Sequence, residues 1–148
     1  MKILTLSIKQ KYFDDILAKI KTSEFREIRP ANFKKYARLV VGGSWDKKTG
    51  KYLGGGKEYE NPKEAPDNGE NWGVIAVKYD ALKLITGAYN LPKRPYLTIE
   101  VKEAWVDLLL DSEKKDEYLI LTDEKGEEYI AAEVEYVLGE ILEKQLYE

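Results

Sequence analysis

The chain has 148 residues, of which 43% are apolar, and carries 24 Lys and Arg against 27 Asp and Glu, with no cysteine and no histidine. This composition predicts one globular domain and excludes disulfides, thiolate zinc sites, thiol nucleophiles and imidazole bases. Any metal would need oxygen ligands, as Mg²⁺ and Ca²⁺ take, and we predict no metal site and no cofactor. No apolar run reaches the ~20 residues of a membrane helix. The opening MKILTLSIKQ becomes polar too soon for a signal peptide, so we expect a cytoplasmic protein with no membrane partner.

The charge is unevenly distributed along the chain. Residues 1–57 hold 14 Lys and Arg against 5 Asp and Glu, whereas residues 58–148 hold 10 against 22. This asymmetry favours either a basic face that attracts a polyanion or two oppositely charged halves that pair across the fold. Surface charge alone leaves both interpretations open.

The N-terminus predicts a strand followed by a helix. The segment MKILTLS alternates apolar and other side chains, as a half-buried strand does. Ser7 is predicted to cap the helix, with the Gln10 side chain completing a capping box. The helix is expected to run to about Lys19 and to present one apolar face to the core.

Two further strands are expected at SEFREIR and ARLVVGG. Successive side chains of a strand point to opposite faces. We therefore expect Phe25 to face the core, while Glu24 and Arg26 share the other face of the strand.

Residues 43–73 are rich in Gly, Asn, Pro and charge, and they predict a long loop, an irregular hairpin or an insertion. Four aromatic residues lie within this stretch: Trp45, Tyr52, Tyr59 and Trp72. Either these rings fold back and close one end of the core, or the loop is a flap that presents them for stacking on bases.

The remainder of the chain predicts more strands and one short helix. Strands are expected at WGVIAVKYD and RPYLTIEVKEAWVDLL. The intervening DALKLITGAYN predicts a helix with Asp80 as its N-cap. A hairpin with Gly126 in its turn follows. The last segment fits a helix by propensity, but its alternation favours a strand with a bulge at Gly139. The pattern predicts an α+β domain over residues 1–148, a small, mostly antiparallel β-barrel with one or two helices at its side.

Charged side chains meet where the first helix ends and the second strand begins. The helix must pack its apolar face on the sheet, which places Lys21 at one end of the barrel beside Glu24 and Arg26. A basic pair held by a carboxylate is suited to binding an anion or a base edge. The alternative is a structural ion cluster that closes the end of the barrel.

The segment YFDDILAKIKTSEFREIRP resembles the motif region of ASCH domains, a branch of the PUA-like superfamily. Their motif is G-x-K-x-x-E-x-R after a first helix, and Lys21, Glu24 and Arg26 match its last three fixed positions. Lys19 replaces the glycine, so either the helix exit needs no left-handed residue or Lys19 is strained. Two later segments also resemble small ASCH proteins of bacteria and their phages: YDALKLITGAYN and YLTIEVKEAW.

The resemblance implies a PUA-like β-barrel with a cleft beside the first helix that binds RNA or other nucleic acid, lined by Lys21, Glu24 and Arg26. We therefore expect single-stranded RNA, a nucleotide or a nucleoside as the partner. Further basic side chains and stacking rings complete the predicted site: Lys9, Tyr12, Arg29, Trp45 and Trp72. The acidic remainder of the chain would repel a long polyanion, which predicts a footprint of a few nucleotides.

Two other classes of function stay open. Some similar small ASCH proteins are amidohydrolases of N4-acylated cytosine nucleosides and use a lysine, a threonine and a glutamate. In such an enzyme Lys21, Thr22 and Glu24 would be the catalytic candidates, although Glu24 occupies the position of that threonine. A ribonuclease is the other enzymatic alternative, and a protein-interaction domain is the third class. Salt-dependent binding of an oligonucleotide distinguishes the nucleic-acid reading from the others.

Overall fold

The computed structural model describes residues 1–87, 93–114 and 116–146. The chain divides into two compact units. The first unit holds Met1–Phe25, Lys78–Ala104 and Glu135–Glu148. The second unit holds Arg26–Val77 and Trp105–Val134.

The described residues form an α+β structure with two short helices and mostly antiparallel strands. The helices are α1 (Gln10–Leu17) and α2 (Phe33–Tyr36), and 3-10 turns lie at Pro30–Asn32 and Pro62–Glu64. The strands are β1 (Ile3–Ser7), β2 (Ser23–Ile28), β3 (Ala37–Val41), β4 (Ser44–Trp45), β5 (Tyr52–Gly54), β6 (Lys57–Tyr59), β7 (Trp72–Ala76), β8 (Ala81–Ile85), β9 (Tyr96–Leu108), β10 (Ile120–Thr122), β11 (Glu128–Ile130) and β12 (Ala132–Gln145). Their sheets have the orders β1-β8-β9-β12-β2, β6-β3-β7, β10-β11 and β4-β5. Neither helix of the described residues has the length and apolar character that a bilayer-spanning helix requires.

The core of the first unit forms where β8 lies between β1 and β9. β8 runs parallel to β1 and antiparallel to β9. The alternation predicted for β1 is confirmed, because Leu4 and Leu6 are buried while their neighbours are exposed. Phe13 and Ile16 of α1 are buried as well, each with only 2% of its surface exposed. Such apolar burial is the main force that holds an element this short in place.

The predicted helix at DALKLITGAYN is wrong over its described part, because Ala81–Ile85 form β8 instead. Short apolar runs fit either a helix or a strand, and here the partners on both sides decide. Leu82 and Leu84 are completely buried within the paired strand. Asp80 does not cap a helix; its carboxylate accepts a hydrogen bond from the Lys2 backbone N–H at 2.6 Å. Residues 88–90 of the predicted helix lie outside the described residues.

The predicted capping box at Ser7 is also wrong. Ser7 is the last residue of β1, and the helix begins three residues later with Lys9 as an N-cap that offers no side-chain hydrogen bond. The backbone N–H of Ile8 donates to the Ile85 carbonyl at 2.9 Å, so the pairing with β8 continues past Ser7. The chain cannot turn into a helix while that hydrogen bond holds it extended.

The end of α1 places Lys19 in the left-handed region, with φ of 61°. The Ile20 N–H donates to the Asp15 carbonyl at 2.8 Å, and the Lys19 N–H donates to the Ile16 carbonyl at 3.0 Å. These two bonds form a Schellman motif, whose left-handed position favours glycine. Of the two alternatives for the motif glycine, the strained lysine is therefore the one observed.

Replacing Lys19 with glycine should raise the free energy of unfolding by about 0.5–1 kcal/mol, because glycine adopts this backbone conformation without the Cβ clash. Chemical denaturation followed by far-UV circular dichroism measures the change. Lys19→Ala is the matched control, since it removes the charge but keeps the Cβ. Equal stabilisation by both variants would show that the charge, not the backbone, is the cause.

In the second unit, β3 pairs antiparallel with β6 on one side and β7 on the other. The 43–73 stretch contains β6 and an irregular hairpin of β4 and β5, three short strands separated by turns and loops. In the hairpin turn, the Asp46 carboxylate accepts the backbone N–H groups of Lys48 and Thr49 at 2.8 and 3.2 Å. These hydrogen bonds stabilise the charged form and lower the pKa of Asp46.

Two predictions near the C-terminus are confirmed. β10 and β11 form the expected hairpin, with Gly126 at φ of 79° in its turn. The last segment is a strand, β12, rather than a helix. Gly139 lies inside β12 with its Cα facing the Glu100 carboxylate, which would overlap a Cβ there. The glycine thus allows a close approach, and the bulge predicted at Gly139 stays a prediction.

Candidate functional site

Lys21 and Glu24 form an ion pair in the first unit, as their spacing predicts. The Lys21 Nζ lies 3.2 Å from the Glu24 Oε1. Glu24 is buried, with 5% of its surface exposed, whereas the Lys21 side chain keeps 23% of its surface in solvent. A buried carboxylate requires polar partners, so Glu24 restrains the ammonium group at this position.

The predicted orientation of β2 is wrong at Phe25. The strand period itself is as expected, but Glu24 and Ile28 occupy the buried face and Phe25 is 45% exposed. Ile28 lies in phase with Glu24 along the strand and is 4% exposed. The aliphatic residue therefore sets the inner face of β2, and the ion pair with Lys21 allows Glu24 to be buried on that face.

The Lys21 ammonium lies near two aromatic rings as well as the carboxylate. Its Nζ is 5.6 Å from the centroid of the Tyr12 ring and 5.8 Å from that of the Phe25 ring. Both distances fall within the range of cation–π attraction. Tyr12 is 44% exposed and Phe25 is 45% exposed, so both rings offer surface to a ligand. We refer to Tyr12, Lys21, Glu24 and Phe25 as the Lys21 cluster.

The hydroxyl groups beside the cluster have different partners. The Ser23 Oγ donates to the Glu135 Oε2 at 2.9 Å. Thr22 is exposed, and its backbone carbonyl accepts the Leu138 N–H at 2.9 Å. Among the described residues, no carboxylate holds the Thr22 hydroxyl. The geometry therefore gives no support to Thr22 as an activated nucleophile, which needs an adjacent base.

Two other predicted site residues, Lys9 and Arg26, lie at the start of α1 and on β2. Lys9 is exposed at the start of α1 in the first unit. Arg26 lies two residues beyond Glu24 on β2, is half-buried and belongs to the second unit. Its part in the site stays a prediction from the motif.

The remaining predicted residues lie in the second unit. The Arg29 guanidinium pairs with Glu27 at 3.1 Å, and this carboxylate raises the pKa of Arg29. The Trp45 indole packs against Gly73, and its Nε1 donates to the Gly42 carbonyl at 3.2 Å. Trp45 is therefore a packed residue, as expected if the loop aromatics fold back on the core.

Trp72 is different, because it is 44% exposed and its ring lies 5.9 Å from that of Tyr118.

The structure brings three predicted site residues together, Tyr12, Lys21 and Glu24, and adds Phe25, which the sequence predicts to face the core. The signal that identifies Phe25 is the phase of Ile28. No group of three or more carboxylates within the described ranges is placed to hold a metal ion.

Comparison with known proteins identifies no homologue of the chain. No family model, characterised protein or solved structure matches the chain. The resemblance to ASCH domains therefore rests on the motif and on the segments YDALKLITGAYN and YLTIEVKEAW, and the structural support for a function comes from the Lys21 cluster.

Proposed function

We propose that the chain binds a nucleotide or a short single-stranded RNA at the Lys21 cluster, on a small, mostly antiparallel barrel of the PUA-like type. The observation that carries this proposal is the environment of Lys21. Its ammonium is held by a buried carboxylate at 3.2 Å and lies near two half-exposed rings. A restrained cation beside aromatic surface matches the two faces of a nucleotide, an anionic phosphate or base acceptor and a planar base.

The residues of the cluster have different roles in this proposal. Tyr12 and Phe25 stack on a base, because their rings are about half exposed. Lys21 has three N–H donors, and its pairing with Glu24 leaves donors for a phosphate or a base oxygen. Glu24 is too buried for direct contact with a ligand, so it acts as a positioning residue that holds the ammonium.

Charge supports a small ligand rather than a long polymer. Lys9, Lys11 and Lys19 are exposed along and beside α1 and outnumber its two carboxylates, Asp14 and Asp15, so the local charge near the cluster is positive. The chain as a whole nevertheless carries a net charge of −3, and its second half is strongly acidic. A few nucleotides would gain from the local lysines, whereas a longer strand would meet repulsion.

The experiment is fluorescence anisotropy with labelled single-stranded RNA and DNA oligonucleotides at low and moderate salt. We expect salt-sensitive binding, which Tyr12→Ala and Phe25→Ala each weaken by about 5- to 150-fold, the range expected for loss of one base stack. Lys21→Met should weaken binding and reduce the salt dependence, because one cation no longer contacts the ligand. Arg26→Ala tests the motif residue in the same assay.

Matched controls come from the second unit. Tyr118 is 41% exposed, close to the exposure of Tyr12, and Lys125 is an exposed lysine in the β10–β11 turn. Tyr118→Ala and Lys125→Met should leave binding unchanged. If neither oligonucleotide binds, or if the cluster and control variants behave alike, the proposal fails. Turnover of N4-acetylcytidine by the unmodified chain would instead favour the amidohydrolase alternative.

A further inference from the structure

A half-open pocket of about 1190 Å³ lies within the second unit. Its apolar surface comes from strands and from the segment after β2, with the lining residues Ile28, Phe33, Leu39, Val41, Val74 and Leu108. The segment 60–70 borders it and supplies most of its polar rim. The volume exceeds that of typical small-molecule sites, roughly 300–1000 Å³, so it admits a ligand together with water.

Two amphipathic rings also line this pocket, Trp72 and Tyr129. Trp72 is 44% exposed, and it is an expensive side chain to leave in water because of its large apolar area. Indole and phenol rings attract cations over their faces. The pocket therefore combines apolar walls with surfaces that favour a positive charge.

The charged groups of the pocket rim also favour a positively charged ligand. Six carboxylates and three basic side chains line it: Glu60, Glu64, Asp67, Glu70, Glu127, Glu128, Arg29, Lys34 and Lys63. Lys63 is neutralised by Glu127 at 2.8 Å, which raises the pKa of Lys63, and Arg29 pairs with Glu27. Glu60 pairs with Arg38 at 3.6 Å.

These pairs leave an excess of negative charge at the rim. Glu64, Asp67, Glu70 and Glu128 are exposed, and the described residues give none of them a salt-bridge partner; Lys34 is the one rim cation without such a pair. The field at the opening is therefore negative, and it attracts cations while repelling phosphate and carboxylate ligands.

We propose that this pocket binds an organic cation with an aromatic or bulky apolar body. The apolar body occupies the walls formed by Leu39, Val41 and Val74, and the positive group lies near Trp72 and the carboxylates of segment 60–70. The assignment gives Trp72 a ligand opposite in charge to the nucleic acid predicted for it. The proposal is independent of the Lys21 cluster, because none of the four residues of that cluster lines the pocket.

The test compares three probes of nearly equal shape by isothermal titration calorimetry of the full chain at neutral pH and low salt. The probes are 1-naphthylmethylammonium, 1-naphthylmethanol and 1-naphthylacetate, which are cationic, neutral and anionic. We expect the cation to bind at least 10-fold more tightly than the anion, with the neutral probe between them. Equal affinity for all three, or no binding of the cation, would overturn the proposal.

Two variants locate the binding. Trp72→Ala should lower the affinity for the cationic probe at least 5-fold, because the ring contributes both apolar area and cation–π attraction. The triple variant Glu64→Gln, Asp67→Asn and Glu70→Gln should remove most of the difference in affinity between the cation and the neutral probe, and Glu128 and Trp72 account for what remains. The matched control changes the same residue types off the pocket, Glu113→Gln, Asp116→Asn and Glu117→Gln, and should keep the preference. A loss of preference in the control variant as well would assign the effect to net charge instead of the pocket.

Discussion

Replacing Phe13 with alanine should lower the free energy of unfolding by about 3–5 kcal/mol, the usual cost of emptying a buried aromatic site. Phe13 is 2% exposed and is one of two buried residues on α1. The helix has only eight residues and lacks a side-chain N-cap, and an isolated helix shorter than about 12–15 residues is marginal in water. Its position therefore depends on the side chains that it buries.

The neighbouring residue supplies the control for this prediction. Tyr12 lies beside Phe13 in the same helix but is 44% exposed, so Tyr12→Ala should cost less than about 1 kcal/mol. Urea denaturation followed by far-UV circular dichroism compares the two variants. Similar losses from both would show that α1 is not held by its buried face. Because Tyr12 belongs to the Lys21 cluster, the comparison also separates stability from ligand binding.

Gly43→Ala should destabilise the second unit by about 2–5 kcal/mol, which combines a left-handed backbone with a steric overlap. Gly43 has φ of 82°. A Cβ at this position would lie 2.6 Å from the Gly56 backbone nitrogen and 2.9 Å from the Gly54 carbonyl oxygen. Backbone atoms cannot rotate out of the way as a flexible side chain can, so the β4–β5 hairpin would have to shift.

Gly50 separates the two contributions, because it shares the conformation without the crowding. Its φ is 72°, and no atom outside Gly50 and its two chain neighbours lies within 4 Å of the position of a Cβ. Gly50→Ala should therefore cost only the backbone term, about 1 kcal/mol. The difference between the two variants in thermal unfolding measures the close approach of Gly43 to the facing backbone. If the two losses are equal, that close approach does not restrict the hairpin.

Local patterns in the sequence predict the elements whose burial alternates or whose turn chemistry is specific. β1 alternates cleanly, and the β10–β11 turn needs the positive φ that Gly126 supplies. Lys19 is intermediate, because the motif leaves two alternatives for the helix exit and the Schellman hydrogen bonds decide between them. In each case the deciding interaction lies within a few residues of the chain.

The failures come from interactions between distant parts of the chain. β8 is a strand because β1, about 78 residues earlier, pairs with it, for instance Ile3 opposite Ala81. The helix start moves to Gln10 because Ile8 continues that pairing. No local pattern encodes a partner at such a separation, so a short apolar run can be assigned to the wrong element.

One part of the candidate site is predictable from local spacing, and another part depends on the tertiary structure. The Lys21–Glu24 pair follows from their spacing, since residues at the end of one element and the start of the next lie close together. The exposure of Phe25 depends on which face of β2 is covered, and a hydrophobicity rule favours burying phenylalanine over glutamate. The ion pair reverses that preference by compensating the buried carboxylate, an effect visible only when both partners are placed.

All three tryptophans, Trp45, Trp72 and Trp105, belong to the second unit, and the first unit contains none. Tryptophan fluorescence, excited at the long-wavelength edge of the protein's absorption band, is therefore an intrinsic probe of the second unit only. Its denaturation curve describes the surroundings of those indoles, whereas the tyrosines and the backbone signal sample the whole polypeptide. Superimposable curves from the two signals would mean that the chain melts as one cooperative body, and separated curves would resolve two melting events without any added label.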